Sequence, residues 1–421
     1  MSDSLVQIAR DPSKPLHLTV CFEGSVLGSS FEQLHRPCRR LELRDSRSGF
    51  VLAAALISAA ACGHAVAATN SSAPASAASV ASVPKVVSAP LATMPAGPAS
   101  ANAAASQPAA GGAVISAKPI FVLNSMDANV SVIDSRTFAE IKRIPTGKEP
   151  HHLYLSPDEK SLLVANAMSD SLTFVDPVTA NVQRVVTGIV DPYHLRFSPD
   201  MKWFVTAANR LNHIDIYHWD PSNETTPLKL ATRVPTGKTP SHLMIDRKSS
   251  VVYSSMQDSD ELVAIDLATQ KQRWKISVGK MPADVYLSPD DRLLLVGLTG
   301  EKFVGVYDVS GDKPKLVKRI ETGDGAHAFR AAGDMRHVYV SNRVANTISK
   351  IDLQTLSVVA NYPAPGGPDC MDISADGKTL LVSSRWSRKL TFIDTESRQV
   401  VRQVPVGRSP HGVWTLDHAP R

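Results

Sequence analysis

The chain has 421 residues, of which 43% are hydrophobic and 20% charged, so it can bury a substantial core, while its 29 prolines and 23 glycines indicate many turns. This composition excludes a coiled coil and a helical bundle. Residues 118–421 carry 37 Lys and Arg against 34 Asp and Glu, and a balance of only +3 makes nucleic acid an unlikely partner because such binders rely on a large basic surface.

Residues 49–68, GFVLAAALISAAACGHAVAA, follow several arginines and contain a run of small and apolar side chains. A basic flank, a short apolar stretch and the small-residue sequence Ala65-Val66-Ala67 are typical of a secretory signal peptide rather than a membrane span. The sequence therefore predicts a periplasmic or secreted protein. Residues 1–48 form an N-terminal extension that a signal peptide should lack, which indicates a start codon placed too far upstream; the alternative is a cytoplasmic tail on an uncleaved anchor.

Two variants of this export signal stay open. Ala59-Ala60-Ala61-Cys62 resembles a lipoprotein box without its usual leucine, and lipid on Cys62 would tether the protein to a membrane. The segment 39–44 resembles a twin-arginine signal, although Glu42 stands where an apolar residue is expected. Residues 69–117 are almost entirely Ala, Ser, Pro, Val and Gly, a composition that predicts a disordered linker.

From residue 118 onward a repeat of about forty residues fills the chain. Each unit contains three or four short runs of alternating hydrophobicity, separated by turn residues such as Ser156-Pro157-Asp158, which indicates antiparallel strands. Four strands in forty residues are typical of a propeller blade. The repeats begin near Gly147, Gly188, Gly237, Gly279, Gly323, Gly367 and Gly407.

The two ends of the repeat region complete each other. After Gly407 only one strand remains, whereas residues 120–144 supply three strands before the first full repeat. One blade is therefore shared by both ends, and the total is seven. We predict that residues 118–421 form an all-β, seven-bladed β-propeller whose last blade is closed by the N- and C-terminal strands, a ring without a free sheet edge.

The repeats resemble the YVTN-type β-propeller repeat family of secreted bacterial and archaeal proteins. The resemblance rests on the Gly-x-x-Pro-His start, the Ser-Pro-Asp turn, the Leu-Val-Ala-Asn strand and the Val-Ile-Asp strand. It implies the fold but not the function, because propellers related in fold include haem d1 domains, lactonase-type enzymes, a copper-loaded nitrous-oxide reductase domain and plain binding proteins.

Histidines recur where the innermost strand of each blade begins, four or five residues after a repeat glycine or its aligned equivalent, and should ring one mouth of the central channel. The fifth position holds His152, His194, His242 and Asp284, and the fourth holds His327, Asp369, His411 and His151. Because successive residues on a strand point to opposite faces, the two sets need not converge. Neutral imidazoles with a carboxylate suit zinc, copper or non-haem iron, or one histidine could ligate a non-covalent haem. The alternative is a set of structural histidines that hydrogen-bond neighbouring loops.

Arginines supply a second pattern at the same mouth. Arg210, Arg343 and Arg385 follow the second strand of their blades and favour a small anionic ligand, unless nearby carboxylates such as Asp170 or Asp215 pair with them. We expect the asparagines near the ends of second strands to form turns, and Cys370 to be a buried thiol. These asparagines are Asn124, Asn166, Asn209 and Asn342.

The sequence favours a monomeric binding or scaffold protein, rather than an enzyme, that uses the channel mouth to bind a ligand or protein partner. One alternative is a metal- or haem-binding carrier or redox protein that uses the histidine ring. Another is a lactonase-like hydrolase in which a metal ion or a His/Asp pair activates water. No CxxCH, Walker or GxSxG motif is present, which excludes covalent c-type haem and the common nucleotide and serine-hydrolase chemistries.

Overall fold

The computed structural model describes residues 118–420 and two short antiparallel strands, β1 (His17–Leu18) and β2 (Leu41–Glu42). The predictions for the extension at 1–48, the signal peptide at 49–68 with Cys62, and the linker at 69–117 otherwise lie outside the described residues. Among the residues that the structure describes, no helix has the length and apolar character needed to cross a membrane.

Seven four-stranded antiparallel sheets form a ring of blades. The first three strands of the ring belong to blade 7, the blade that both ends of the repeat region share: β3 (Pro119–Asn124), β4 (Asn129–Asp134) and β5 (Glu140–Pro145). Blade 1 contains β6 (Pro150–Leu155), β7 (Leu162–Asn166), β8 (Ser171–Val175) and β9 (Val182–Thr187). Blade 2 contains β10 (Pro192–Phe197), β11 (Trp203–Ala208), β12 (His213–Trp219) and β13 (Leu228–Pro235). Blade 3 contains β14 (Pro240–Ile245), β15 (Val251–Met256), β16 (Glu261–Asp266) and β17 (Lys271–Ser277).

The remaining blades repeat this order, from the innermost strand outward. Blade 4 contains β18 (Pro282–Leu287), β19 (Leu293–Leu298), β20 (Phe303–Asp308) and β21 (Lys315–Glu321). Blade 5 contains β22 (Ala326–Ala331), β23 (His337–Asn342), β24 (Thr347–Asp352) and β25 (Ser357–Pro363). Blade 6 contains β26 (Pro368–Ile373), β27 (Thr379–Ser384), β28 (Lys389–Asp394) and β29 (Val400–Pro405). Short 3-10 turns at Ala167–Ser169 and Gln257–Ser259 follow β7 and β15.

The last strand closes the ring as the sequence predicts. β30 (Pro410–Thr415) pairs with β3, so blade 7 has the order β30-β3-β4-β5 and joins both ends of the repeat region. The seven-bladed propeller is therefore confirmed. This pairing gives blade 7 the same four strands as the other blades, so the outward-facing edge of each sheet in the ring is its outermost strand.

The hydrophobic core lies between the blades. Seven clusters of buried side chains each join two neighbouring blades and together continue around the ring. The second strand of each blade is packed on both faces, as β7 shows with all five residues buried, whereas the outermost strand β9 is largely exposed. Strands packed on both faces need nearly continuous apolar sequence, which explains runs such as LLLVGL in β19.

The asparagines predicted as turn residues mostly lie within strands instead. Asn124, Asn166 and Asn342 are the last residues of second strands and are fully buried. The Asn342 side-chain amide donates to the Ser349 hydroxyl of the third strand at 3.0 Å, and the same bond recurs in blades 1 and 7. The turn prediction was therefore wrong for these three, because their buried side-chain N–H groups donate to hydroxyls of the adjacent strand. Asn209 lies just after β11 and donates to the Pro240 carbonyl at 3.0 Å.

Candidate metal site in the central channel

A β-bulge begins every innermost strand. In blade 1, Pro150 pairs with Asn166 and Leu153 pairs with Val164, so two residues of β6 oppose one residue of β7. The other blades show the same shift at the equivalent position. A bulge breaks the strict alternation of side chains. It therefore allows the residues at both the fourth and the fifth repeat positions to reach the channel.

The fifth-position side chains line a small chamber of about 70 Å³ inside the channel. Every blade contributes its fifth-position residue to this wall: His152, His194, His242, Asp284, Ala328, Cys370 and Gly412. The fourth-position residues lie directly beside the chamber, where the His151 ring is 3.6 Å from the His411 ring and 5.0 Å from the His152 ring, measured between centroids. The two sets therefore lie next to each other in the channel.

Three histidines from consecutive blades form the first candidate ligand set. His152, His194 and His242 are buried, their ring centroids are 4.5 to 4.8 Å apart, and one nitrogen from each lies within 4.8 Å of the others. A second group, of His151, His152 and His411, meets the same distance limit. His152 belongs to both groups, so the two sets overlap and one ion could use either.

Several ring nitrogens in these groups have no hydrogen-bond partner among residues 118–420. They include Nε2 of His152, His242 and His411 and Nδ1 of His151. A buried polar atom without a partner is costly, and nearly all such atoms in folded proteins are satisfied. An ion in the chamber would satisfy these lone pairs.

Two of the histidines are oriented as metal ligands usually are. The His411 Nδ1 donates to the His151 carbonyl at 2.9 Å, and the His242 Nδ1 lies 2.9 Å from the Ser241 hydroxyl. Such partners on one ring nitrogen leave the other nitrogen free to ligate. His194 differs, because its Nδ1 accepts the Leu243 N–H at 3.3 Å and its proton then lies on Nε2. To join the set, His194 must give up this long bond, either by moving its proton to Nδ1 so that Nε2 ligates or by ligating through Nδ1 itself.

Burial keeps the channel histidines neutral. Desolvation, assisted by neighbouring imidazoles, lowers the pKa of His151, His152 and His194 well below its ordinary value. It lowers the pKa of His411 to about 3. Because a metal ligand must be deprotonated, these lone pairs are available at physiological pH.

The two carboxylates of the predicted sets have other partners. Asp284 lines the chamber, but its oxygens accept the backbone N–H groups of Val285 and Phe329, each at 2.8 Å. Asp369 accepts from Arg343 at 2.6 Å and from Arg385 at 3.0 Å. Burial acts to raise the pKa of Asp369, but the arginines and neighbouring histidines outweigh it and hold that pKa well below its usual range.

His327 and Cys370 complete the fourth- and fifth-position ring on the Asp369 side. The His327 Nε2 accepts from Arg343 at 2.5 Å, and its Nδ1 lies 3.4 Å from Asp369. Cys370 forms a third group of possible ligands with Asp369 and His411, and its sulfur lies 3.4 Å from the His411 Nδ1. Desolvation raises the pKa of the Cys370 thiol well above its ordinary value, so it is a poorer ligand than the imidazoles.

The arginines predicted to bind an anion are all ion-paired. Arg343 and Arg385 share Asp369, while Arg210 contacts Glu149 and Asp191, each at 2.6 Å. The carboxylates named from the sequence are not their partners, since Asp215 instead pairs with Arg233 at 2.8 Å. An anionic ligand at these three arginines stays a prediction, and it would have to compete with the resident carboxylates.

The size of the chamber decides which group it could hold. About 70 Å³ accommodates an ion with a few water molecules. A tetrapyrrole does not fit in that space, so a haem would have to lie outside it. The donor set of buried, neutral imidazoles fits zinc or copper.

Comparison with known proteins places the chain in a family. Residues 82–421 match the model of the YNCE-like beta-propeller family. The chain belongs to this family, which confirms the YVTN-type resemblance. It is 29% identical over 187 residues to the protein YncE of Salmonella typhi, an alignment that covers 44% of this chain and 52% of YncE. The chain thus spans about half the length of the curated relatives it matches.

Solved structures agree on the fold. The Pseudomonas aeruginosa periplasmic gluconolactonase PpgL superimposes with a TM-score of 0.61 at 17% identity, over 72% of this chain and all of that one. The dihydro-haem d1 dehydrogenase NirN superimposes with a TM-score of 0.53 at 18% identity, over 70% of this chain and 74% of that one. Identities this low support a shared architecture and carry no activity with them.

Proposed function

We propose that this propeller is a binding protein whose channel histidines hold one zinc or copper ion. The observation that carries the proposal is the group of His152, His194 and His242, three buried and neutral imidazoles with ligating atoms within 4.8 Å of one another. Three nitrogen ligands with one open position for water form a common zinc site. The alternative ligand His411 stands next to His152, with ring centroids 4.7 Å apart, and could occupy that position.

A binding role is favoured over the lactonase-like alternative. The chamber at the histidines is small, so an organic substrate does not fit inside it together with an ion. The arginines that would have held a product carboxylate are paired with Asp369, Asp191 and Glu149. Export through residues 49–68 is part of the proposal, because a periplasmic protein would meet its metal outside the cytoplasm.

Metal content tests this proposal. The full chain, purified without a histidine tag or chelator, should contain or take up close to one equivalent of zinc or copper. Substituting Co²⁺ should give the absorption bands of a four-coordinate nitrogen site. The variant His152→Ala, His194→Ala, His242→Ala should lose the ion, while the control His218→Ala, His337→Ala, which changes histidines outside the channel, should keep it. Protein that neither contains nor takes up metal, or a triple variant with normal content, would refute the site.

A second candidate function, partner binding at the channel mouth, is favoured by exposed apolar side chains. The loop after the second strand presents one such residue in five of the seven blades, with 52% to 65% of its surface exposed: Met126, Met168, Leu211, Val344 and Trp386. Apolar side chains gathered at one end of a soluble protein often mark an interaction surface.

Chemical cross-linking in cells tests this second function. A protein partner that is cross-linked to the wild-type chain should be lost with Met168→Ser, Trp386→Ser. It should be retained with Val185→Ser, Val401→Ser, which removes equally exposed apolar residues from outermost strands. Equal cross-linking by both variants would exclude the mouth as the binding surface.

A further inference from the structure

The end of the channel opposite the histidines opens into a larger cavity of about 410 Å³. Its walls come from the ends of the innermost strands and from the Ser-Pro-Asp turns that follow them, including Ser288 and Pro289. Small-molecule sites in proteins commonly measure roughly 300 to 1,000 Å³. Tyr154, Arg196 and Phe329 border both this cavity and the histidine chamber, so the two spaces adjoin along the channel.

Two arginines in this wall lack the carboxylate partners that the mouth arginines have. The Arg196 Nη1 donates to the Tyr154 hydroxyl and its Nε to the Leu243 carbonyl, both at 3.1 Å. The Arg247 Nη1 donates to the Pro289 carbonyl at 2.6 Å. Within residues 118–420, no carboxylate oxygen lies within 4.0 Å of either guanidinium. Both therefore retain donors and charge for a ligand.

The other charged groups of the wall do not cancel this charge. Arg330 is 3% exposed and is already paired with Asp372 at 2.8 Å. Asp291 is the one acidic residue of the cavity lining, and its Oδ2 accepts the backbone N–H of Arg247 at 3.0 Å. Two guanidinium charges therefore face a single carboxylate, which leaves the cavity with a net positive charge.

The rest of the wall is aromatic and apolar. The Tyr286 and Phe329 rings lie 6.2 Å apart between centroids, and Met244 lies on the same wall. The Arg196 guanidinium lies 5.1 Å from the centroid of the Tyr154 ring, which holds it in place by a cation–π contact. Flat apolar surfaces beside a few oriented polar groups are the usual composition of a site for small organic ligands.

We infer that this cavity binds a small aromatic carboxylate or sulfonate, whose anionic group is held by Arg196 and Arg247 and whose ring packs against Phe329 and Tyr286. Guanidinium groups pair with such anions through two parallel hydrogen bonds. This ligand site adjoins the metal site proposed above but does not depend on it.

The test uses a pair of fluorescent probes that differ only in charge. The full chain, treated with chelator, is titrated with 1-anilinonaphthalene-8-sulfonate and with N-phenyl-1-naphthylamine, the same molecule without the sulfonate. The sulfonate should bind at one saturable site, and Arg196→Met should weaken it at least tenfold while changing the affinity of the uncharged probe little. Arg402→Met is the control. Arg402 lies on the outermost strand β29, where it stacks on the Phe138 ring, so its replacement should change neither affinity.

Arg247→Met gives an independent reading, because this exposed side chain can be replaced without disturbing the core even if Arg196→Met fails to fold. It should also weaken the sulfonate selectively, by about fivefold or more. No saturable sulfonate binding, equal affinity for both probes, or unchanged affinity in Arg247→Met would overturn the inference. Metal content should be unaffected in Arg247→Met, so a failure of this site is distinguishable from a failure of the metal site.

Discussion

Mild acid should destabilise this propeller strongly, because the channel buries neutral histidines. Six of them have lowered pKa values caused first by desolvation: His151, His152, His194, His242, His327 and His411. In the unfolded chain each titrates near pH 6.5. Below that pH the unfolded state binds protons that the folded state does not, so stability is present above about pH 6.5 and is lost as the pH falls.

The size of the effect follows from the number of histidines. Each histidine that stays neutral in the folded state lowers the free energy of unfolding by about 1.4 kcal/mol at pH 5.5 relative to neutral pH. Six such histidines would lower it by about 8 kcal/mol. The total stability of a folded domain is roughly 5 to 15 kcal/mol, so most of it would disappear. Buried Asp369, whose pKa is lowered, adds nothing in this window, because an unfolded aspartate takes up its proton only near pH 4.

Urea unfolding, followed by tryptophan fluorescence at pH 7.5, 6.5 and 5.5 with a chelator present, measures this dependence. The urea concentration at the unfolding midpoint should fall steeply between pH 6.5 and pH 5.5. His411→Gln should reduce the pH slope by about one proton, and the exposed His218→Gln serves as the control for the substitution itself. A midpoint that does not change with pH, or an unchanged slope in His411→Gln, would refute the assignment of neutral buried imidazoles.

Three further predictions concern groups other than the histidines. Arg330→Met should lower the unfolding free energy by about 3 to 5 kcal/mol, since it removes the guanidinium that lies 2.8 Å from the buried carboxylate of Asp372; an unchanged urea midpoint would contradict this. Asn342→Ala should cost about 1 to 3 kcal/mol through the lost bond to Ser349, to be measured as a lower Tm. Because burial raises the pKa of the Cys370 thiol, Ellman's reagent should label Cys370 slowly in the folded protein and rapidly in denaturant, and fast native labelling would show an exposed thiol.

The fold could be predicted because its determinants are local in the sequence. Each blade needs four short strands. The alternating runs that specify them recur about every forty residues, and three of the units also contain a Ser-Pro-Asp turn. Closure could also be predicted, since the single strand after Gly407 can find its missing neighbours only at residues 120–144. The asparagines were misassigned because asparagine favours turns when it is exposed and side-chain hydrogen bonds to a neighbouring strand when it is buried.

The site could be predicted only in part, because its geometry depends on contacts between blades. Regular alternation predicts one channel-facing residue per strand, and no sequence signal reveals the bulge that adds the second one. The hydrogen-bond and ion-pair partners of the site residues could not be predicted from the sequence either. Arg210 meets Glu149, which lies 61 positions earlier in the sequence, and the Asp284 carboxylate is taken by backbone groups that belong to its own strand and to the next blade.

The distribution of charge around the channel indicates where a cation would bind. On one side, Asp369 carries two guanidinium partners, Arg343 and Arg385, so that cluster has a net charge of +1 and repels a divalent ion. On the other side, the charges of Arg196 and Asp284, which both border the histidine chamber, balance each other. His152 and His242 there are neutral and present ring nitrogens without partners. An ion that enters the channel should therefore avoid the carboxylate, although carboxylates are usually good ligands, and bind the imidazoles. Arg343→Met should shift this preference toward Asp369 by removing one of the two charges that protect it.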